Sequence, residues 1–250
     1  MDYTLVIDQG NTSSKVTVFE KDKVVETLRF GVLSVEELCP IFEKYELRGV
    51  IYSSVAKLDV RLVESLRYMT EAPVLVMTHE TSLPIKVVYK TPQTLGLDRV
   101  AAAVAAASLY PQEAVLVVDA GTALTIDVVD GESQFVGGNI SPGLAIRFKS
   151  LNEFTGALPL VEYGVSDATP IFGYDTTTAI RSGVVNGIVA EITSSFEKAS
   201  EEYNCKRIVL TGGDSEYLIS KMCDSKMMID RHQDLVAEGL NRILLYNENN

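Results

Sequence analysis

Two carboxylates in this sequence close apolar runs. Asp8 ends "LVID" ahead of "QGNTSSK", and Asp119 ends "LVVD" ahead of "AGTALTID". A carboxylate delivered to the end of a buried strand needs donors or a cation, because an unpaired charge in apolar surroundings costs several kcal/mol. Gly10 permits a turn that a side chain would obstruct, so the N–H groups of residues 10 to 12 can approach an anion closely. Thr12, Ser13 and Ser14 add hydroxyl donors, and Lys15 adds positive charge. Together these residues describe a phosphate loop whose acid, Asp8, holds a metal ion rather than the phosphate. Taken alone, Asp8 reads sooner as an Asx turn capping its own hairpin, with the hydroxyls solvated. Its echo at Asp119, Gly121 and Thr122 shifts the reading to two facing loops that clamp a nucleotide in a central cleft.

A third acid lies between them. In "GLDR", Gly96 to Arg99, Asp98 stands where a helix opens, a position that on its own reads first as an N-cap. Neither the G-x-x-x-x-G-K-[ST] phosphate loop nor the dinucleotide G-x-G-x-x-G is present. His79 and His232 are isolated and suggest no metal site. Cys39, Cys205 and Cys223 form no C-x-x-C and read as buried thiols in a reducing compartment. The glycines of "GGNISPG" (Gly137 to Gly143) and "LTGGD" (Leu210 to Asp214) suit either close approach to a ligand or ordinary turns.

The elements that would position these acids repeat. "YTLVID", "KVTVFE" and "VVETLRF" alternate like an antiparallel meander. A helix opened by the capping box Ser34/Glu37 follows, which Pro40 must kink or shorten. The strand "GVIYSSV", the amphipathic helix "DVRLVESLRYM" and the strand "PVLVMT" complete the set. From a helix near Asp98 the same order returns: "AVLVVDA", "ALTIDVV" and "SQFVGGNI", helices near 144–153 and 176–203, then "RIVLTGG", a helix, "MMIDRH" and a last helix from Gln233. The stripe Val184, Ile188, Ile192 and Phe196 on the long helix reads as core. Duplication is the economical explanation. The fold class is α/β, with halves at residues 1–112 and 113–250.

Bulk properties narrow the function. The chain has 250 residues, 46% of them hydrophobic, and a formal charge of −12. Such a field opposes loose binding to nucleic acid or anionic membrane. The alanine-rich "RVAAAVAAASLY" is too short to span a bilayer, and no basic leader precedes the first strand, so a cytoplasmic protein is expected.

Two ribonuclease H-like halves, each opened by an Asp-x-Gly hairpin, resemble the superfamily of sugar and acetate kinases, actin and heat-shock ATPases. More closely, "DQGNTSSK", "YKTPQTLGLDR", "VDAGTALTID", "GGNISPG", "ALP", "TTTAI", "LTGGD" and "EGL" are similar in order and spacing to the type III pantothenate kinases. The resemblance implies an actin-like ATPase fold and ATP-dependent phosphorylation of pantothenate, the first step toward coenzyme A. It also implies Mg²⁺, a monovalent cation such as K⁺ or NH₄⁺, and a homodimer. Carried over by residue, the ATP phosphates fall on Asp8, Gln9, Gly10, Asn11, Thr12, Ser13, Ser14 and Lys15, with a further contact at Thr122. The monovalent cation falls on Asp119. The pantothenate pocket falls on Tyr89, Gly96, Leu97, Asp98, Arg99 and Thr176, the last selected from "TTT" by its spacing to "AI". Asp98 is the implied general base. The alternatives are a non-catalytic, nucleotide-sensing relative and a kinase for another small hydroxy acid.

Overall fold

The alternation of the first thirty residues builds a meander in the computed structural model, which describes residues 3–10, 13–55, 58–222 and 227–248. Strands β1 (Tyr3–Gln9), β2 (Ser14–Glu20) and β3 (Lys23–Phe30) run antiparallel, with Lys21 at positive φ in the tight second turn. Helix α1 (Val35–Lys44) carries the expected capping box, Glu37 Oε2 accepting from the Ser34 N–H at 2.8 Å. It runs through Pro40 to Lys44 rather than stopping there. Strand β4 (Leu47–Ser54) pairs parallel with β1, and Asp59 caps α2 (Val60–Met69) by accepting from the Leu62 N–H. The short β5 (Val74–Val76) then adds beside β4, giving the order β3-β2-β1-β4-β5.

Side chains alternate across this sheet, so each face has its own cover. Leu5, Ile7, Val16, Val18, Val50 and Tyr52 pack with Leu38 and Ile41 of α1 and Leu62 and Leu66 of α2. The opposite face carries Thr4 and Asp8. A two-residue strand β6 (Lys86–Val87) and a single 3₁₀ turn (Pro92–Thr94) lead to α3 (Leu97–Leu109), a helix buried along Val100 to Ala107. The C-terminal helix α7 (Leu235–Glu248) packs against α3 and β1. Thr4 Oγ1 donates to Asn241 Oδ1 of α7 at 2.5 Å, which fixes α7 to the Asp8 face.

The sequence reading placed residues 234–250 in the second half. In the structure the compact units are residues 1–109 with 234–250, and residues 110–233. The cause is small-residue packing: a β-carbon on Gly239 would lie 1.8 Å from the Ala101 carbonyl oxygen. The alanines of "RVAAAVAAASLY" therefore serve close helix contact.

The second unit repeats the first. Strands β7 (Val115–Ala120), β8 (Ala123–Val129) and β9 (Gln134–Pro142) form its meander. Helices α4 (Leu144–Glu153) and α5 (Thr176–Tyr203) follow, then β10 (Arg207–Thr211), α6 (Ser215–Lys221) and β11 (Met228–Arg231). The strand order β11-β10-β7-β8-β9 matches β5-β4-β1-β2-β3. Val184, Ile188 and Ile192 of α5 are buried against Leu116, Leu124 and Ile126, the core role read from their spacing. No helix among the described residues is long and apolar enough to cross a membrane.

Candidate active site

In the first unit, register assembles a polar row. Asp8 stands opposite Lys15 on β2 and beside Ser53 on β4, and Lys15 stands opposite Arg29 on β3. Residues in register share a sheet face, so Arg29, Lys15, Asp8 and Ser53 line up across four strands. The turn after β1 is closed by a hydrogen bond from the Gly10 N–H to the Ser13 carbonyl at 2.9 Å, and a β-carbon on Gly10 would press on that same oxygen at 3.0 Å. Gln9 accepts from the Tyr52 hydroxyl. Ser13 is exposed and Ser14 buried. Asn11 and Thr12, expected at the phosphates, lie outside the described residues.

Helices α3 and α7 cover this face, and their N-termini bring Asp98 and Asp234 to it. Burial, and then the negative charge of Asp98, raise the Asp8 carboxyl to about 6, against the opposing pull of Lys15 and Arg29. Asp98 is not the cap of α3. The Gly96 carbonyl accepts the first intrahelical bond, from the Val100 N–H at 3.1 Å, so Gly96 takes the cap position and Asp98 sits within the first turn. Asp98 Oδ1 accepts from the Arg99 N–H at 2.8 Å and lies 2.4 Å from where a Gly96 β-carbon would be. The glycine of "GLDR" thus leaves room for this carboxylate. Arg99 is buried, Leu97 half-buried, and Tyr89 half-buried ahead of the 3₁₀ turn.

In the second unit, three segments converge on the turn between β7 and β8. The Gly121 N–H donates to the Ala123 carbonyl at 3.0 Å, and the Gly143 N–H donates to the Thr122 carbonyl at 3.1 Å. A β-carbon on Gly143 would strike the Gly121 oxygen at 2.2 Å. From "LTGGD", Gly212 adopts φ +91°, and a β-carbon there would sit 2.4 Å from Asp119 Oδ1. The Asp214 N–H donates to the Ala120 carbonyl at 3.0 Å. Gly143 and Gly212 therefore stand where backbone segments approach one another closely, Gly143 against Gly121 and Thr122, and Gly212 against Asp119 and Ala120. The signal for Gly212 in the sequence is its place at a strand end beside an acid.

The threonines of "TTT" separate. Thr178 is committed to the start of α5: its N–H donates to Asp175 Oδ1 at 2.7 Å and its Oγ1 accepts from the Asp175 N–H at 3.1 Å. Thr176 and Thr177 are exposed. Arg29, Ser53 and Asp234 were missed by sequence reading, since register and helix packing alone bring them near Asp8 and Lys15. Cys205 is buried as expected, whereas Cys39 is exposed, because Leu38 and Ile41 turn the inner face of α1 to the core. Cys223 lies outside the described residues. Among the described residues no group of three or more His, Cys, Asp or Glu side chains is arranged to hold a metal ion.

The sequence profile of the family described as Type III pantothenate kinase matches residues 4–198. The chain belongs to the type III pantothenate kinase family. It is 42% identical over 243 residues to the Type III pantothenate kinase of Bacteroides fragilis (strain YCH46), covering 97% of this chain and 98% of that one. The Type III pantothenate kinase of Porphyromonas gingivalis (strain W83) is 40% identical over 249 residues, covering 99% and 100%. Solved structures share this fold. A ROK hexokinase from Thermus thermophilus superposes with a TM-score of 0.55 at 13% identity, over 98% of this chain and 99% of the hexokinase. A Baf family protein from Campylobacter jejuni superposes with a TM-score of 0.65 at 24% identity, over 98% and 100%.

Proposed function

We propose that this protein transfers the γ-phosphoryl group of ATP to the primary hydroxyl of pantothenate, giving 4′-phosphopantothenate and ADP at the head of coenzyme A synthesis. Membership of the type III pantothenate kinases supports the reaction. The observation that carries the site is the pair of carboxylates Asp8 and Asp98, close enough for the charge of one to raise the pKa of the other.

An alkyl hydroxyl is a poor nucleophile at neutral pH. Asp98 would accept its proton as the new O–P bond forms and the bond to the ADP oxygen breaks, a contribution of about 10²- to 10⁴-fold. Arg99, next to it, would take the pantothenate carboxylate in a bidentate fork, with Tyr89, Gly96, Leu97 and Thr176 completing the pocket. Asp8 suits Mg²⁺, since a half-buried acid facing a second acid has repulsion that a divalent cation removes. Mg²⁺ needs only one or two carboxylates beside the phosphates and water. When bound it would neutralise charge on the phosphate oxygens. Gln9, Gly10, Asn11, Thr12, Ser13, Ser14 and Lys15 would orient the phosphates, with Thr122 as a further contact.

Asp119 would hold K⁺ or NH₄⁺. The fit rests on the close cradle around its carboxylate, where Gly212 leaves no room for a β-carbon. A homodimer is supported by the large apolar side chains left exposed within residues 154–174, Phe154, Leu160, Val165, Ile171, Phe172 and Tyr174, which a partner would cover. The chain would act in the cytoplasm, free of nucleic acid and membrane.

A coupled ADP-release assay with pantothenate and Mg-ATP, run in K⁺ and then in Na⁺ alone, tests the reading. Turnover in K⁺ that collapses in Na⁺ is expected. Absence of pantothenate-dependent ADP release in K⁺ would refute it.

A further inference from the structure

By register, the acid nearest Lys15 is Asp8. Directly opposed residues of antiparallel strands have their β-carbons about 4.5–5.5 Å apart, and the two charges are opposite. Yet the Lys15 ammonium lies 2.5 Å from Asp234 Oδ1, and both side chains are largely withdrawn from water, at 14% and 23% exposure. Lys15 acts on Asp8 as a charge at longer range, a smaller effect than that of Asp98. Asp234 is itself fixed. It immediately precedes α7, and its carbonyl accepts the first intrahelical bond from the Glu238 N–H at 2.8 Å. Helix α7 in turn is locked to the sheet by Thr4 and Asn241, and by Asn241 Nδ2 donating to the Lys21 carbonyl at 2.7 Å.

We infer that Asp234 is a positioning residue that holds the Lys15 ammonium away from Asp8, so that Asp8 stays open to the divalent cation while Lys15 meets a phosphate oxygen. This rests on the assignment of Asp8 and Lys15 to the phosphate site. The physical need is specific. A lysine on a flexible four-carbon stem loses substantial rotamer freedom when ordered, and without a fixed anchor it settles on the closest carboxylate. An ammonium seated on Asp8 occupies the oxygens that must take the metal, and the metal must displace it. An ammonium anchored by Asp234 has three donors and can hold that carboxylate and a phosphate oxygen together.

The test is ATP binding without pantothenate, followed by calorimetry at a series of Mg²⁺ concentrations, with melting temperature recorded for every variant. Asp234→Asn removes the charge but keeps a good helix-capping side chain, so α7 still forms. It should raise the Mg²⁺ concentration for half-maximal ATP binding by about tenfold, within the range of coupling between contacting groups. Asp234→Glu should restore it to within about twofold. In a Lys15→Met background, Asp234→Asn should add no further shift, because the lysine carries the effect. An unchanged Mg²⁺ requirement in Asp234→Asn, or the same shift with Lys15 absent, overturns the inference. Wild-type protein that binds no ATP at any Mg²⁺ concentration refutes the phosphate-site assignment and the inference with it.

Discussion

Asp98, in the first turn of α3, places its charge close enough to Asp8 to raise that carboxyl's pKa, second only to burial. The two acids bear on one another across the face that α3 and α7 cover. Their repulsion means that the metal-free protein carries a cost for ionising Asp8.

That cost has a sign and a window. Asp8 moves from 3.8 to about 6 on folding. Below pH 4 both states hold the proton, so the group contributes nothing to the difference. Between 4 and 6 the unfolded chain releases it while the folded one retains it, so stability falls as pH rises and the loss is complete above 6. Asp8→Asn should therefore melt about 2–6 °C higher than wild type at pH 7.5 in EDTA, with the gap closing near pH 4. The comparison needs only scanning fluorimetry across that range. A variant that melts at or below the wild-type temperature at pH 7.5 would show that Asp8 is not strained.

Asp98→Asn separates chemistry from binding. The amide oxygen can still accept from the Arg99 N–H, so the first turn of α3 is preserved. Turnover should fall by about 10² or more while ATP affinity is retained. Removing the charge should also lower the pKa of Asp8 toward its ordinary value, narrowing the pH gap between wild type and Asp8→Asn. Loss of nucleotide binding together with turnover would count against Asp98 as the base.

What the sequence showed, and what it hid, follows from the range of each interaction. Asp8-x-Gly10 and Asp119-x-Gly121 were legible because a strand end, an acid and a glycine are local signals, and their recurrence exposed the duplicated strand order. Capping was legible at Ser34/Glu37 for the same reason. Asp234 carried no signal, because its partner Lys15 is near it only after α7 has docked on the first sheet. The return of residues 234–250 to the first unit was hidden likewise: Gly239 and Ala101 look like ordinary helix residues until their backbones meet. Of the two effects expected of Pro40, a kink or a shortening, α1 shows no stop at the proline, which loses one intrahelical bond without ending the helix. The exposure of Cys39 was open to calculation, because it falls on the outer face of a helix whose inner face is set by Leu38 and Ile41.

Asp119 and Gly212 should fail together. Asp119→Asn is expected to abolish the difference between activity in K⁺ and in Na⁺. Gly212→Ala forces a β-carbon into left-handed backbone at 2.4 Å from Asp119 Oδ1 and 2.5 Å from the Ala120 carbonyl carbon. It should displace that carboxylate, remove the same cation dependence and cost about 1–3 kcal/mol of stability by urea unfolding. Gly213, whose β-carbon would meet nothing within 4 Å, provides the contrast: Gly213→Ala should stay within about 0.5 kcal/mol of wild type. Retained K⁺ activation in Asp119→Asn would remove the cation from that residue.

Two helical glycines give a test of the α3–α7 packing that does not depend on function. At Gly239 the added β-carbon would sit 1.8 Å from the Ala101 oxygen and 2.5 Å from its carbonyl carbon, both backbone atoms that cannot swing aside. Accommodation requires the helices to move apart along a face of buried alanines, so the dispersion contacts of the whole seam are lost. Gly239→Ala should destabilise by about 2–4 kcal/mol, more than its one methyl group suggests. At Gly187, within α5, the same substitution meets nothing within 4 Å and only relieves the backbone entropy of glycine in a helix, so Gly187→Ala should gain about 0.5–1 kcal/mol. Because one substitution type is applied to two helices, opposite signs in urea unfolding isolate packing from helix propensity. Equal effects would mean that α3 and α7 do not approach as closely as Gly239 requires.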